Sequence, residues 1–222
     1  MTESFAPRLD ILPKAQRRLW DELAAVPPEF VLYGGTAIAL HLGHRQSVDF
    51  DFFGNHSFDP ETLANSLSFL NKATVTHQEP NTLSVRVARG GPVKLSFFGL
   101  PRLPRLRPPC VAPGNGSRVA ALLDLAGTKA SVVQRRAEAK DYRDIDAILC
   151  DGRIDLATAL AAAKTLYGPR FNPQITLKAL CYFDEGGLRR LPRVLKERLV
   201  TAVRGVDLDR LPTVAPLSRT YE

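Results

Sequence analysis

Cysteine is scarce in this chain, which excludes most of the chemistry that cysteine clusters provide. Cys110, Cys150 and Cys181 are odd in number, far apart and not at metal-ligand spacing. We therefore expect neither a disulfide framework nor a zinc knuckle, and we expect each cysteine to be a buried or half-buried small hydrophobic residue. The 4 histidines show no helix-borne metal motif either, and a structural role is expected for them.

Long hydrophobic runs are also missing. No apolar stretch approaches the roughly 20 residues that a membrane-spanning helix needs. The opening residues, "MTESFAPRLD", have neither the basic start nor the apolar centre of a signal peptide. A cytoplasmic protein without a membrane partner is therefore the expectation. The sequence contains no internal repeat and no low-complexity tract.

Positive charge is in excess. The 222 residues include 30 Lys and Arg against 23 Asp and Glu, a formal net charge of +7. The basic residues cluster in "PRLPRLRPP", "VVQRRAEAKDYR" and "GGLRRLPRVLKERL". An anionic partner such as nucleic acid would suit this charge, because phosphate contacts supply most non-specific affinity. A basic face that only improves solubility is the alternative.

Helices and strands alternate in the first hundred residues. The signals for them are apolar periodicity, Pro and Gly punctuation, and a strong helix start at Asp59 and Pro60. A Gly90–Gly91 turn separates two of the strands. The predicted order is helix 12–26, strand 29–33, helix 36–42 with Thr36 as its N-cap, strand 45–53, helix 59–72, and strands between 73 and 98.

The second half of the chain is predicted to be helical. Residues 101–117, rich in Pro, Gly and Arg, read as a boundary or crossing loop. The fold class expected is an α/β (α+β) mixed sheet with flanking helices, followed by a helical C-terminal half. We expect an α/β core at 1–105 and a helical domain at 118–222. The predicted helices are 118–138, 141–149, 155–167, 174–183 and 189–204.

Two aspartates in one aromatic strand are the first candidate site. Strand residues alternate faces, so Asp49 and Asp51 share one side and the neighbouring phenylalanines share the other. Arg45 and Ser47 have the same parity and extend this predicted polar stripe. Two carboxylates on one rigid strand suit Mg²⁺, which keeps water and substrate phosphates as its other ligands. A solvated edge strand is the alternative.

A glycine pair precedes that strand. Gly34 and Gly35 let the backbone pass close to a ligand, and the following helix offers unpaired N–H groups to an anion. A turn that cradles phosphates just before a carboxylate pair is what an NTP and its metal require. The alternative is a tight strand-to-helix turn that merely needs glycine.

These two features together resemble a known signature. "GGTAIALHLGHRQSVDFDFF" is similar to the glycine turn and D-x-D motif of DNA polymerase beta-like nucleotidyltransferases, with twelve residues between Thr36 and Asp49. More narrowly, it resembles the AbiEii/AbiGii abortive-infection toxins. Their later motif is matched by "DLAGTKASVVQRRAEAKDYRDIDAIL", residues 124–149.

This later motif can also be read as a helix. A helical wheel places Lys129 and Arg136 within an otherwise apolar face, where a cation usually snorkels or meets an anion. Asp141 and Asp144 are three residues apart and share a face if the helix continues. The apolar face comprises Val119, Leu122, Leu125, Ala126, Ala130, Val133 and Ala137. The opposite face comprises Asp124, Gly127, Ser131, Gln134 and Arg135.

The resemblance implies a catalytic arrangement and a biological role. Asp49 and Asp51 would bind Mg²⁺, and Gly34, Gly35 and Thr36 would hold the phosphates of an NTP. Lys129 and Asp144 would reach the cleft from the helical domain: Lys129 to neutralise the triphosphate, Asp144 to orient Lys129 or accept a proton. Arg136 and Asp141 are further substrate-contact candidates. The implied acceptor is a tRNA 3′ end, and the implied role is that of a toxin with an antitoxin partner in phage defence.

One residue departs from the family pattern. Family members often carry "K-x-D-F" in a later strand, whereas "VKLSFFG" places Ser96 where that carboxylate belongs. A hydroxyl is a poor Mg²⁺ ligand, while Lys94 remains a candidate for phosphate contact. Two other functions therefore stay open. One is transfer to a small molecule or a protein, and the other is a non-catalytic binding module.

Overall fold

The computed structural model describes residues 5–217, so the ends of both expected domains, residues 1–4 and 218–222, lie outside the described residues. The chain divides into two compact units. The first unit contains Met1–Leu103 and Pro108–Ala120, and the second contains Pro104–Arg107 and Ala121–Glu222.

The first unit is built on a mixed seven-stranded sheet in the order β3-β4-β5-β2-β1-β7-β6. The central strands β1 and β2 are antiparallel, whereas β2 pairs in parallel with β5 and β1 in parallel with β7. The strands are β1 (Val31–Tyr33), β2 (Asp49–Gly54), β3 (Thr74–Glu79), β4 (Thr82–Ala88), β5 (Pro92–Gly99), β6 (Cys110–Val111) and β7 (Arg118–Val119).

Three α-helices accompany this sheet in the described part of the first unit. They are α1 (Lys14–Trp20), α2 (Gly34–Leu42) and α3 (Pro60–Ser66). The predicted start of α3 is confirmed, because the Asp59 carboxylate accepts a hydrogen bond of 2.7 Å from the Thr62 N–H. The helix predicted over 12–26 is shorter, since α1 ends at Trp20 and the chain continues as a 3₁₀ helix, Asp21–Ala25.

The segment predicted to be a loop and a helix start returns to the sheet instead. Cys110 pairs with Val119 in an antiparallel hairpin, and Val119 pairs with Leu32 of β1. The prediction of helix from residue 118 was therefore wrong. Strands of two residues have no detectable periodicity, and here they form because distant backbone groups satisfy their hydrogen bonds.

The described second unit is helical. Asp155 caps the helix that it precedes, and Gly168 follows that helix, as predicted. The helices are α4 (Leu122–Val132), α5 (Ala139–Asp151), α6 (Leu156–Tyr167), α7 (Pro173–Leu180) and α8 (Arg193–Arg204). Its core includes Tyr142, Leu160, Leu180 and Leu199, each exposed by no more than 1%.

The predicted fold class, a mixed sheet with flanking helices and a helical C-terminal half, is confirmed. The expectation for the cysteines is confirmed only in part. Cys110 is buried, but Cys150, in the last turn of α5, and Cys181, directly after the end of α7, are exposed. Within residues 5–217 no helix is both long and apolar enough to cross a lipid bilayer.

Candidate active site

The carboxylates of β2 lie on one face of the sheet. Asp49 and Asp51 are half-buried, whereas Phe50 and Phe52 point to the other side and are at most 1% exposed. Phe52 stacks on Phe97 with the ring centroids 5.2 Å apart, which fixes the strand from its apolar side. The core therefore holds a rigid strand whose opposite face presents two carboxylates.

The glycine pair meets this strand directly. Gly34 has a φ of +74°, and a Cβ placed there would lie 3.0 Å from Oδ2 of Asp51. Only glycine combines this left-handed conformation with so close an approach. The predicted turn is the first turn of α2, because the helix begins at Gly34. Tyr33 is its N-cap and makes no side-chain capping bond. The helix N-terminus thus abuts Asp51.

Thr36 is not the N-cap that the sequence suggested. It lies inside α2, is 1% exposed, and its hydroxyl is 2.8 Å from the hydroxyl of Ser47. The Thr36 hydroxyl also donates to the backbone carbonyl of Asp49. Thr36 and Ser47 therefore anchor the entry of β2 to α2.

The predicted stripe of four polar residues in one strand was wrong. β2 begins at Asp49, so Arg45 and Ser47 lie in the loop before it. There Arg45 donates a hydrogen bond of 2.9 Å to the carbonyl of Gln46. The loop deviates from an extended strand because Ser47 turns inward to meet Thr36, which ends the alternation assumed from parity.

The neighbouring strand β5 supplies a cation and a hydroxyl. Lys94 is the register partner of Asp49, and Ser96 is the register partner of Asp51. Ser96 is 1% exposed, whereas Lys94 is exposed. Across the described chain, no group of three His, Cys, Asp or Glu residues could hold a metal ion. Ser96 thus occupies the place where a third carboxylate would stand.

The residues at β2 fit Mg²⁺ as far as their donor chemistry goes. Two half-buried carboxylates on one strand provide hard oxygen ligands of the kind Mg²⁺ prefers. The N-terminus of α2 beside them offers N–H groups to phosphate oxygens, which would complete the coordination together with water. A site with two protein carboxylates is therefore adequate for a metal that arrives with a nucleotide.

The second unit contains a different charged cluster. Nζ of Lys129, on α4, is 2.5 Å from Oδ1 of Asp141 and 2.7 Å from Oδ2 of Asp144. The Nε of Arg136 donates to Oδ2 of Asp141 at 2.8 Å. Asp141 and Asp144 share one face of α5, as predicted, and their side chains have no exposed surface. Arg136 lies beyond the end of α4 at Val132, not in the predicted helix.

The sequence reasoning missed Asp124. It was placed on the polar side of the helical wheel, yet it is 1% exposed and accepts hydrogen bonds from the N–H groups of Leu106 at 2.9 Å and Arg107 at 3.1 Å. Burial raises the pKa of Asp124 to about 6. The signal was Gly127 on the same side, because a Cβ there would lie 3.0 Å from the backbone of α6. Both sides of α4 are therefore buried.

A strand that carries two carboxylates beside a helix N-terminus, in a mixed sheet, defines the nucleotidyltransferase class. A family model, described as nucleotidyl transferase AbiEii toxin of type IV toxin–antitoxin systems, matches residues 18–214. The chain therefore belongs to the AbiEii family of nucleotidyltransferases, as the sequence resemblance predicted. An antitoxin partner and an NTP substrate go with that family.

One curated relative is similar to the chain in sequence, and two solved structures are similar to it in fold. The chain is 30% identical to the uncharacterized protein aq_aa25 of Aquifex aeolicus (strain VF5) over 178 residues, which cover 78% of this chain and 84% of the relative. MenT4, a nucleotidyltransferase toxin of Mycobacterium tuberculosis H37Rv, has a similar fold, with a TM-score of 0.57 at 16% identity over 86% of this chain and 83% of MenT4. A candidate nucleotidyltransferase from H. pylori has a TM-score of 0.54 at 19% identity, covering 86% and 91% of the two chains.

Proposed function

We propose that this chain transfers a nucleoside monophosphate from an NTP to the 3′ hydroxyl of an RNA, with a tRNA end as the expected acceptor. The observation that carries this proposal is the approach of Gly34 to Asp51, 3.0 Å from its would-be Cβ to Oδ2. It brings an uncapped helix N-terminus against a carboxylate pair, which suits a triphosphate and its cation at one place.

The roles of the first unit's residues follow from these positions. Asp49 and Asp51 would hold Mg²⁺, which when bound neutralises the phosphates and polarises the reacting centre. The N–H groups of Gly34 and Gly35 would bind the β and γ phosphates. Thr36 and Ser47 act through the backbone, because their hydroxyls hold the first residue of β2 in place. They are positioning residues in this proposal.

The bond changes are those of a nucleotidyl transfer. The acceptor oxygen forms a bond to the α-phosphorus, and the bond to the bridging oxygen breaks, so that pyrophosphate leaves. The sequence motif nominates Asp144 either to accept the hydroxyl proton or to orient Lys129. The distance of 2.7 Å between Lys129 Nζ and Asp144 Oδ2 supports the orienting role, in which case the hydroxyl proton would pass to water. Contact of Lys129, Arg136 or Asp141 with the triphosphate stays a prediction.

The biological setting is part of the proposal. A net charge of +7 favours a polyanionic acceptor over a small molecule. Modification of a tRNA 3′ end would stop translation, which fits a toxin that acts in the cytoplasm during phage defence and is restrained by its antitoxin. The family assignment supports the toxin and the antitoxin, and the charge supports the nucleic acid.

One observation favours a second candidate function. Ser96 stands beside Asp51 where many family members have a carboxylate, and a hydroxyl is a weak Mg²⁺ ligand. A protein that binds nucleotide or nucleic acid without transfer would be the result. Transfer to a small molecule or protein is the remaining alternative for an active enzyme.

The test incubates the purified protein with unfractionated tRNA, Mg²⁺ and each labelled NTP in turn. An Asp51→Asn variant removes one proposed ligand. Asp10→Asn, at an exposed residue that pairs with Arg8, is the matched control. Label on RNA with the wild type and the control, but not with Asp51→Asn, is the expected result. Label on a different acceptor would overturn the RNA proposal. An absence of label together with an absence of NTP binding would favour the non-catalytic function.

A further inference from the structure

On the sheet face that carries Asp49 and Asp51, register partners form rows across the strands. Side chains at paired positions of neighbouring strands project to the same side. The row that passes through Asp51 carries only hydroxyl groups on β4 and β5. The row that passes through Asp49 is different, since it consists of Thr74, Arg86, Lys94 and Asp49.

In the described part of the chain, the two cations of this row have no ion-pair partner. Arg86 and Lys94 are exposed, and neither forms an ion pair within residues 5–217. Lys94 forms no ion pair with Asp49 within residues 5–217, although the two are register partners. Two solvated cations that lie side by side, next to a carboxylate pair, are available for an external anion.

The strand order places Lys94 and Arg86 away from the N-terminus of α2. The strand order places β1, and α2 directly after it, on one side of β2, whereas β5 and β4 lie on the other side. If the leaving pyrophosphate binds at the start of α2, the attacking hydroxyl approaches from the opposite side of the α-phosphorus. Lys94 on β5 and Arg86 on β4 lie on the side of β2 away from β1, where they would meet the acceptor in this arrangement.

We infer that Lys94 and Arg86 bind the backbone phosphates next to the 3′ end of the acceptor RNA. This inference rests on the proposed function and assigns its acceptor a surface. Neighbouring strands are about 4.8 Å apart, so two long cationic side chains in one row can each take one of two successive phosphates. An acceptor without a run of phosphates would gain nothing from this row. Arg86 is therefore a binding residue that the sequence motifs did not indicate.

The binding test measures the affinity of fluorescently labelled, unfractionated tRNA as a function of KCl concentration. Arg86→Ala and Lys94→Ala should each lower the slope of log K against log salt by about 0.7, and the double variant by about 1.4. Arg17→Ala is the matched control. Arg17 is exposed on α1. Trp20 of the same helix packs on Phe50, so α1 lies on the side of the sheet opposite to Asp49. This variant should leave the slope unchanged.

The kinetic test distinguishes an effect on binding of the RNA acceptor from an effect on binding of the nucleotide. The double variant should raise the KM for RNA about tenfold and leave the KM for the NTP unchanged. A rise in the KM for the NTP instead would place these cations on the triphosphate and overturn the inference. Wild-type transfer to RNA with an unaltered slope and KM in the variants would also overturn it, while leaving the proposed function intact. Wild-type label on another acceptor would overturn both.

Discussion

Two pairs of aspartates, one in each unit, show how differently the same side chain can be used. Asp49 and Asp51 lie on a strand, half-buried, and the lysine opposite Asp49 forms no ion pair with it within residues 5–217. Asp141 and Asp144 lie on a helix, fully buried, and share the ammonium group of Lys129. The first pair keeps contact with solvent, whereas the second pair is buried around a cation from the protein.

The physical difference is solvation. A buried carboxylate without a cation is costly, so a core that accepts two of them must also supply a lysine. A half-exposed pair keeps part of its hydration and can exchange it for a metal ion. We therefore expect substitutions in the first pair to affect activity, and substitutions around the second pair to affect stability.

The largest effect is expected at Asp51. Asp51→Asn should lower the rate of nucleotidyl transfer by about a thousandfold or more, because one proposed metal ligand is lost. The free energy of unfolding should change by less than about 1 kcal/mol, since the side chain is half-exposed. Transfer assays and urea denaturation check the two parts. A folded Asp51→Asn variant with wild-type activity would remove the basis for the proposed site.

Lys129→Met should be the most destabilising of these changes. It leaves two fully buried carboxylates without their cation, which typically costs about 3–5 kcal/mol. Lys140→Met is the matched control, because Lys140 pairs with Glu138 at an exposed site and should lose at most about 1 kcal/mol. Urea denaturation measures both variants. Equal losses would show that the cluster does not stabilise the second unit.

Lys129→Met also separates the structural role of Lys129 from its predicted contact with the nucleotide. A folded Lys129→Met variant whose KM for the NTP is unchanged would exclude that contact. The double variant Lys129→Met/Asp144→Asn should lose less free energy of unfolding than the sum of the two single variants. Each single variant leaves one charge without its partner, whereas the double variant removes both charges. Additive losses would contradict the ion pair at 2.7 Å.

Asp124 extends the comparison to a buried carboxylate that is held by two backbone N–H groups and lies near the charges of Arg105 and Arg107. Burial raises the pKa of Asp124 to about 6, against an ordinary value near 4. Between about pH 4 and pH 6 the unfolded state releases this proton while the folded state keeps it. The free energy of unfolding should therefore fall by up to about 3 kcal/mol over that window and then level off.

The measurement compares the wild type with Asp124→Asn by urea denaturation at several pH values, so that the other carboxylates cancel. The free energy of unfolding of the wild type minus that of the variant should fall as the pH rises from 4 to 6. A difference that is independent of pH would show that Asp124 titrates normally in the folded protein.

The smallest effect is expected from Mg²⁺ itself. At ten times its dissociation constant, Mg²⁺ should stabilise the wild type by about 1.4 kcal/mol and raise the melting temperature by a few degrees. Asp49→Asn should abolish this shift, whereas Asp146→Asn, at a carboxylate bonded to Arg198 in the second unit, should preserve it. A shift that survives Asp49→Asn would place the metal elsewhere.

Much of the fold could be predicted from local signals. The cap at Asp59, the turn at Gly90–Gly91 and the helix between Asp155 and Gly168 all depend on residues close in sequence, and all three are present. The hairpin of β6 and β7 was not predictable in this way. Its two-residue strands exist only because Val119 pairs with Leu32, which is far away in the chain.

The candidate site was predictable to a similar degree. Alternation correctly placed Asp49 and Asp51 on one face, and helical spacing placed Asp141 and Asp144 on another. Parity failed for Arg45 and Ser47, because β2 begins only at Asp49 and Ser47 is hydrogen-bonded to Thr36 in the loop before it. The wheel failed for Asp124, because α6 covers the side of α4 that looked polar.

The sequence alone determined the family, the helices and strands outside the β6–β7 hairpin, and the residues that carry charge at the candidate site. These depend on composition, on periodicity and on motifs that are contiguous in the chain. Only the tertiary structure decided which carboxylates are neutralised, because burial and ion pairing depend on side chains from distant segments. Lys129 meets Asp141 and Asp144, whereas Lys94 stays apart from Asp49. No local pattern separates those two cases, because solvation is set by the packing around each group.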